Sequence, residues 1–170
     1  MRRRPPRTVV CNTSPIVYLH RIGRLDLLPA LYGEVILPDS VCAELERGRD
    51  EGYDVPDWRE LPWAKRRATP LPQLLLMVPD LGAGEAEVIA LGLELGHDVL
   101  LVLDDGLARR IARVHGLAMT GTTGILTAAK RDGLLPLVAP MLEALLGAGF
   151  YLRPEVCRET CRISDEEWPE

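Results

Sequence analysis

Val99-Leu100-Leu101-Val102-Leu103-Asp104-Asp105 reads as a short strand, apolar at every position, that ends in two carboxylates. Five apolar residues are too few for a buried helix, and a run without polar alternation fits a strand covered on both faces. Such strands belong to parallel sheets, whose strand C-termini share one edge where ligands bind. Thr8-Val9-Val10-Cys11-Asn12 repeats the pattern near the start of the chain, with an amide in place of the carboxylates. Val35-Ile36-Leu37 is a third such run, stopped by Pro38.

Helical patterns fill the intervals. Thr13 or Ser14 can cap a helix with Pro15 in its first turn, Ile16, Leu19 and His20 on one face, and a break at Gly23. Leu25, Leu27, Leu28 and Leu31 make a short second helix ending near Gly33. Asp39 or Ser40 caps a third, which carries Val41, Cys42, Glu44 and Leu45 and is expected to stop at Gly48. Residues 49–72 are rich in proline and charge, and predict a short strand within irregular structure. Residues 74–78 read as a strand, with helix as the alternative. Gly82 and Gly84 precede a strong helix over 85–95, and further helices are expected over 106–115, 137–146 and 153–161, with a short strand at 117–119 and a helix that residues 121–124 lead into and that ends near Asp132. This alternation predicts an α/β fold: a three-layer α/β/α sandwich around a mostly parallel sheet. At 170 residues the chain has room for one domain, spanning 1–170, with a basic arm at 1–7 and a C-terminal helix and acidic tail at 151–170.

Composition narrows the classes. Apolar residues make up 47% of the chain, and no run approaches the roughly 20 residues of a membrane span. The basic start lacks the apolar stretch of a signal peptide, so a soluble, cytoplasmic protein without membrane partners is expected. Cys11, Cys42, Cys157 and Cys161 have no zinc spacing and read as free thiols or small core residues. The net charge of −5 gives no global attraction to nucleic acid, but Lys65-Arg66-Arg67, Arg109, Arg110, Arg113 and Lys130-Arg131 could form a local basic face. Asn12 is the only asparagine and Gln73 the only glutamine, so an asparagine at the end of the first strand points to a specific role.

Asn12, Glu44, Glu85 and Asp104 or Asp105 would bring amide and carboxylate oxygens to one sheet edge. Hard cations such as Mg²⁺ or Mn²⁺ choose oxygen ligands of this kind. Plainer roles stand beside this one. Asn12 can hydrogen-bond the backbone at a strand end, Glu44 can be an exposed helix residue, Glu85 or Glu87 can favour a helix N-terminus, and one of Asp104 and Asp105 can be a helix cap. Gly121-Thr122-Thr123-Gly124 lacks the lysine of a phosphate loop and reads as a turn and cap. Ser14 lacks the glycine pattern of a nucleophile elbow, and a phosphoacceptor receiver would carry its acidic pair after the first strand.

The ordered set Val9-Val10-Cys11-Asn12-Thr13-Ser14-Pro15-Ile16, Gly33 to Pro38 with Glu44-Leu45, Gly84-Glu85-Ala86-Glu87, Leu103-Asp104-Asp105 with Arg109 and Arg110, and Thr120-Gly121-Thr122 resembles a PIN-domain protein. It is similar to a branch related to VapC-type toxin ribonucleases, over about residues 8–150. The resemblance implies an α/β/α fold with a Mg²⁺ or Mn²⁺ site and endoribonuclease activity on single-stranded or structured RNA. It further implies a toxin role with an antitoxin partner, and a homodimer, for which the apolar helix over 137–146 offers surface. Carried over, Asn12 takes the first acidic position, Glu44 the second, Glu85 the third with Glu87 as fallback, and Asp104 or Asp105 the fourth. Glu44, Glu85, Asp104 and Asp105 are then the catalytic carboxylates, and with Asn12 the metal ligands. Thr13, Ser14 and Thr122 would offer hydroxyls to metal-bound water or phosphate, and Arg109 and Arg110 would contact the RNA backbone. Asn12 departs from the family's aspartate, which leaves a catalytically weak or inactive PIN-like module binding RNA or protein as the alternative.

Overall fold

The computed structural model describes residues 8–169; the expected basic arm at 1–7 and the terminal Glu170 lie outside the described residues. β1 (Thr8–Cys11) leads into α1 (Thr13–Arg21) and α2 (Leu27–Tyr32), then β2 (Val35–Pro38), α3 (Asp39–Asp50) and β3 (Ala64–Arg67). α4 (Gln73–Leu76), α5 (Ala83–Leu95), β4 (Val99–Val102), α6 (Gly106–Val114) and β5 (Ala118–Thr120) follow. α7 (Thr122–Arg131), α8 (Ala139–Gly147) and α9 (Pro154–Ile163) complete the chain.

The strands form one five-stranded sheet in the order β3-β2-β1-β4-β5, parallel throughout. β1 sits at the centre. The chain moves outward through β2 and β3, then crosses back to place β4 on the other side of β1. That reversal opens a crevice at the C-terminal ends of β1 and β4, the place where such sheets bind ligands. The register pairs Cys11 with Val102, so Asn12 and Asp104 emerge at the same edge. Side chains alternate across the sheet: Val9 and Cys11 join the core formed with α1, α3, α7, α8 and α9, while Val10, Leu101 and Leu103 join the core under α5 and α6. The three-layer expectation holds. Among the described residues, no helix is long and apolar enough to cross a membrane.

The structure differs from the sequence reading in several places. α3 runs through Gly48 to Asp50, because Gly48 does not take the left-handed conformation of a helix stop; its bare face instead lets Val55 pack 3.3 Å from where a Cβ would stand. Residues 73–76 are a single helical turn begun by Pro72, not a strand; Leu75 alone is buried, while Leu74, Leu76 and Met77 face solvent. Lys65, Arg66 and Arg67 are β3 itself, and each faces an acid: Glu34 at 3.7 Å, Asp39 at 2.7 Å and Glu94 at 2.8 Å. These three cations are therefore matched by acids among the described residues. All four cysteines are buried free thiols, as expected.

The acidic tail is also not a tail at Glu166. Its side chain is only 7% exposed and accepts from Lys130 Nζ at 2.7 Å, Val138 N at 2.7 Å and Ala139 N at 2.9 Å. It therefore caps α8 from outside and pins the C-terminal turn to α7. Burial alone would raise the Glu166 carboxyl, but Lys130 and the two N–H groups together hold it below its ordinary value of 4.5. A depressed carboxyl stabilises the fold above its unfolded pKa, and that gain is lost as pH falls through the folded value. Glu166→Ala is expected to cost about 2–3 kcal/mol at pH 7, because it leaves two helix N–H groups without their acceptor and a mostly buried Lys130 with only the Ser164 carbonyl. Urea midpoints of both proteins check this, and the gap should narrow at pH 3.

Candidate functional site

Asn12 stands where β1 ends and α1 begins. Its backbone N–H extends the sheet by donating to Val102 O at 3.0 Å, and its side chain turns into the crevice, with the residue 3% exposed. Nδ2 donates to Glu85 Oε1 at 3.1 Å. Among the described residues, Asn12 Oδ1 is the one buried side-chain nitrogen or oxygen without a hydrogen-bond partner. A buried carbonyl that no protein group meets costs roughly 1–3 kcal/mol unless water or an ion pairs with it.

Gly84 shapes what surrounds that oxygen. It lies in the first turn of α5, buried, with no side chain on its inner face. A Cβ there would stand 2.7 Å from Asn12 Oδ1, 3.0 Å from Glu44 Oε1 and 3.4 Å from Val41 Cγ2. The glycine leaves a notch bordered by an amide oxygen and a carboxylate oxygen. Glu44 reaches it from α3, and its other oxygen accepts from Thr13 Oγ1 at 2.5 Å. Glu85 sits one residue beyond the notch, half-buried.

Asp104 occupies the other flank of the same strand edge. Its Oδ1 accepts from Thr122 N at 2.7 Å and its Oδ2 from Thr122 Oγ1 at 2.6 Å, at the N-terminus of α7. Burial pushes this carboxyl above its ordinary 3.8; the Thr122 groups, the Arg109 charge and the Ser14 hydroxyl pull partly against that rise. Gly121 permits the close approach, since a Cβ there would meet Asp104 Oδ1 at 2.8 Å and Arg109 Nη1 at 3.1 Å. Beneath it, burial and the Asp104 charge hold the Cys11 thiol well above its usual value, so Cys11 is core rather than a thiolate.

Neighbouring candidates separate here. Asp105 is exposed and caps α6, accepting from Ala108 N at 2.8 Å, so of the acidic pair Asp104 alone is anchored in the crevice. Glu87 caps α3 instead, accepting from Ser40 N at 2.7 Å. Arg109 is turned inward, with Nη1 donating to Leu103 O at 2.9 Å, and braces Asp104. Arg110 lines a different pocket, an apolar one with Leu74, Leu75, Val78, Ile111 and Val114. The structure thus brings together Asn12, Thr13, Glu44 and Glu85 on one side, and Ser14, Asp104, Arg109 and Thr122 on the other.

The sequence reading missed Gly84 and Gly121 as site residues. A helical glycine costs about 1 kcal/mol against alanine, which was the available signal that Gly84 serves a close approach.

The donor set fits a hard cation in its chemistry: an orphan amide oxygen beside a carboxylate, with a second carboxylate just beyond the end of the adjacent strand. Among the described residues, no three His, Cys, Asp or Glu side chains converge to hold a metal ion. A family model described as a PIN domain (DUF3368) matches residues 8–166. No curated protein matches the chain.

Proposed function

This chain belongs to the PIN-domain family, and from that premise we propose that it is a Mg²⁺- or Mn²⁺-dependent endoribonuclease. The family brings a nuclease-type fold. The observation that carries the reading to this chain is the orphan Asn12 Oδ1 facing the Gly84 notch beside Glu44. Asn12 Oδ1, Glu44 and Asp104 would hold the ion, with Glu85 beside them on the Asn12 amide. A bound divalent ion lowers the pKa of water and neutralises charge on a scissile phosphate.

The protein's own groups do the rest. Thr13 orients Glu44 through its hydroxyl, and Thr122 and Ser14 orient Asp104. The Arg109 guanidinium stands beside Asp104 and keeps positive charge at the crevice where a phosphate would enter. RNA, single-stranded or structured, is the substrate in this proposal. A toxin role with an antitoxin partner, and a homodimer, belong to it as well. Exposed Leu74, Leu76, Met77 and Val114 offer one apolar surface for a protein contact, and Leu137 and Leu146 another on and just before α8, whose Leu142 and Leu145 are buried.

The test is incubation of the purified chain with mixed single-stranded RNA. Cleavage that appears with Mn²⁺ or Mg²⁺ and stops with chelator is the expected result. RNA left intact at every metal concentration would move the function to a PIN-like binding module.

A further inference from the structure

The Asn12 amide has two unlike ends: one carboxylate accepts from it, and another borders the same notch over Gly84. Nδ2 donates to Glu85 Oε1 at 3.1 Å, while Oδ1 borders the notch with Glu44 Oε1. Turned over, the amide would present Nδ2 toward Glu44 and its oxygen toward Glu85. That oxygen would then face a carboxylate oxygen with no proton between them, and the notch would be bordered by N–H groups, which repel a cation. Glu44 has a donor already, the Thr13 hydroxyl on Oε2. The orientation seen therefore depends on Glu85 receiving the amide N–H.

We propose that Glu85 is a positioning residue: it holds the Asn12 amide oxygen-first in the notch over Gly84, and an amide at position 12 is what allows it to do so. The inference rests on the cation reading of the site and deepens it, assigning Glu85 to the amide rather than to the ion. A carboxylate at position 12 has no N–H to give. It would set two anionic oxygens at the 3.1 Å separation now bridged by a hydrogen bond. Asn12 is then not a weakened aspartate but the residue that converts a nearby carboxylate into an orienting group. This also explains why the chain's only asparagine stands here.

That scarcity makes the test direct. With one asparagine and one glutamine in the chain, a ¹H–¹⁵N spectrum of the metal-free protein contains two side-chain amide pairs. The Asn12 pair is expected to be widely split, with one proton downfield and slow to exchange. Glu85→Ala should collapse it toward free-amide positions. Glu85→Gln, whose side-chain oxygen still accepts, should keep most of the splitting. Mn²⁺ titrations of the same proteins should follow: Glu85→Gln within about threefold of native affinity, and Glu85→Ala weaker by about tenfold or more. An Asn12 pair unmoved in Glu85→Ala overturns the proposal, as does equal loss of Mn²⁺ affinity in the two variants, which would make Glu85 a ligand through its charge. If the native protein takes up no Mn²⁺ while its metal-free spectra change as described, the cation reading fails and the Glu85–Asn12 assignment stands.

Discussion

Asp104→Asn is expected to lose metal-dependent RNA cleavage by on the order of a hundredfold or more, while folding as stably as the native chain or more so. Groups that merely orient a ligand are typically worth ~10–100-fold, so a carboxylate offered directly to the ion should reach at least the upper end. The stability half follows from the sign of the Asp104 shift. Burial raises its carboxyl above 3.8, so the ionised form costs the folded state free energy; that group's stabilisation is complete below the unfolded pKa and lost as pH rises through the folded one. At neutral pH an uncharged amide relieves the cost. The anchors survive as well: the Asn oxygen can accept from Thr122 N, and the Thr122 hydroxyl can turn to accept from the new NH₂. Cleavage rates with Mn²⁺ and thermal midpoints measure both halves. A midpoint several degrees lower would show that Asp104 is a structural group first. Its neighbour should behave oppositely: Asp105→Ala removes the α6 cap and is expected to lower stability by about 1 kcal/mol in urea denaturation.

Gly84→Ala carries the second large effect. In an ordinary helix this change stabilises by up to about 1 kcal/mol. Here the added methyl would stand 2.7 Å from Asn12 Oδ1 and 3.0 Å from Glu44 Oε1, closer than carbon and oxygen tolerate without movement. The gain in helix propensity offsets the strain, so the thermal midpoint should shift little. The notch, however, is filled by a group that cannot ligate. Mn²⁺ affinity measured by calorimetry should fall by about tenfold or more, with cleavage falling alongside. Native-like Mn²⁺ binding in this variant would place any ion away from the notch and remove the Asn12 oxygen from the ligand set.

Much of the architecture was legible because short, uniformly apolar runs have few physical fates. Val9-Val10-Cys11 and Val99 to Leu103 bury both faces only in a covered parallel sheet, and that placement alone brings Asn12 and Asp104 to one edge. The helix over 85–95 was equally plain from its spacing. Residues 74–78 form no strand because five consecutive apolar residues carry no period, and solvent rather than a sheet meets Leu74, Leu76 and Met77 in and just after the turn that forms. Glu166 was misread because its burial depends on α7 and α8, which pack beside it from about 30 residues earlier.

The sequence by itself determined the class of fold, the sheet edge that carries the candidate site and the oxygen chemistry available there, because strand burial and side-chain type are local properties. Only the tertiary structure separated Asp104 from Asp105, Glu85 from Glu87 and Arg109 from Arg110. Each pair is nearly equivalent along the chain. The choice rests on how the backbone turns at a strand or helix end and on which neighbour is waiting: Thr122 for Asp104 but Ala108 N for Asp105, Asn12 for Glu85 but Ser40 N for Glu87. Those neighbours are 3 to 73 residues away in sequence, so most of these partners exist only once the sheet has brought its C-terminal edge together.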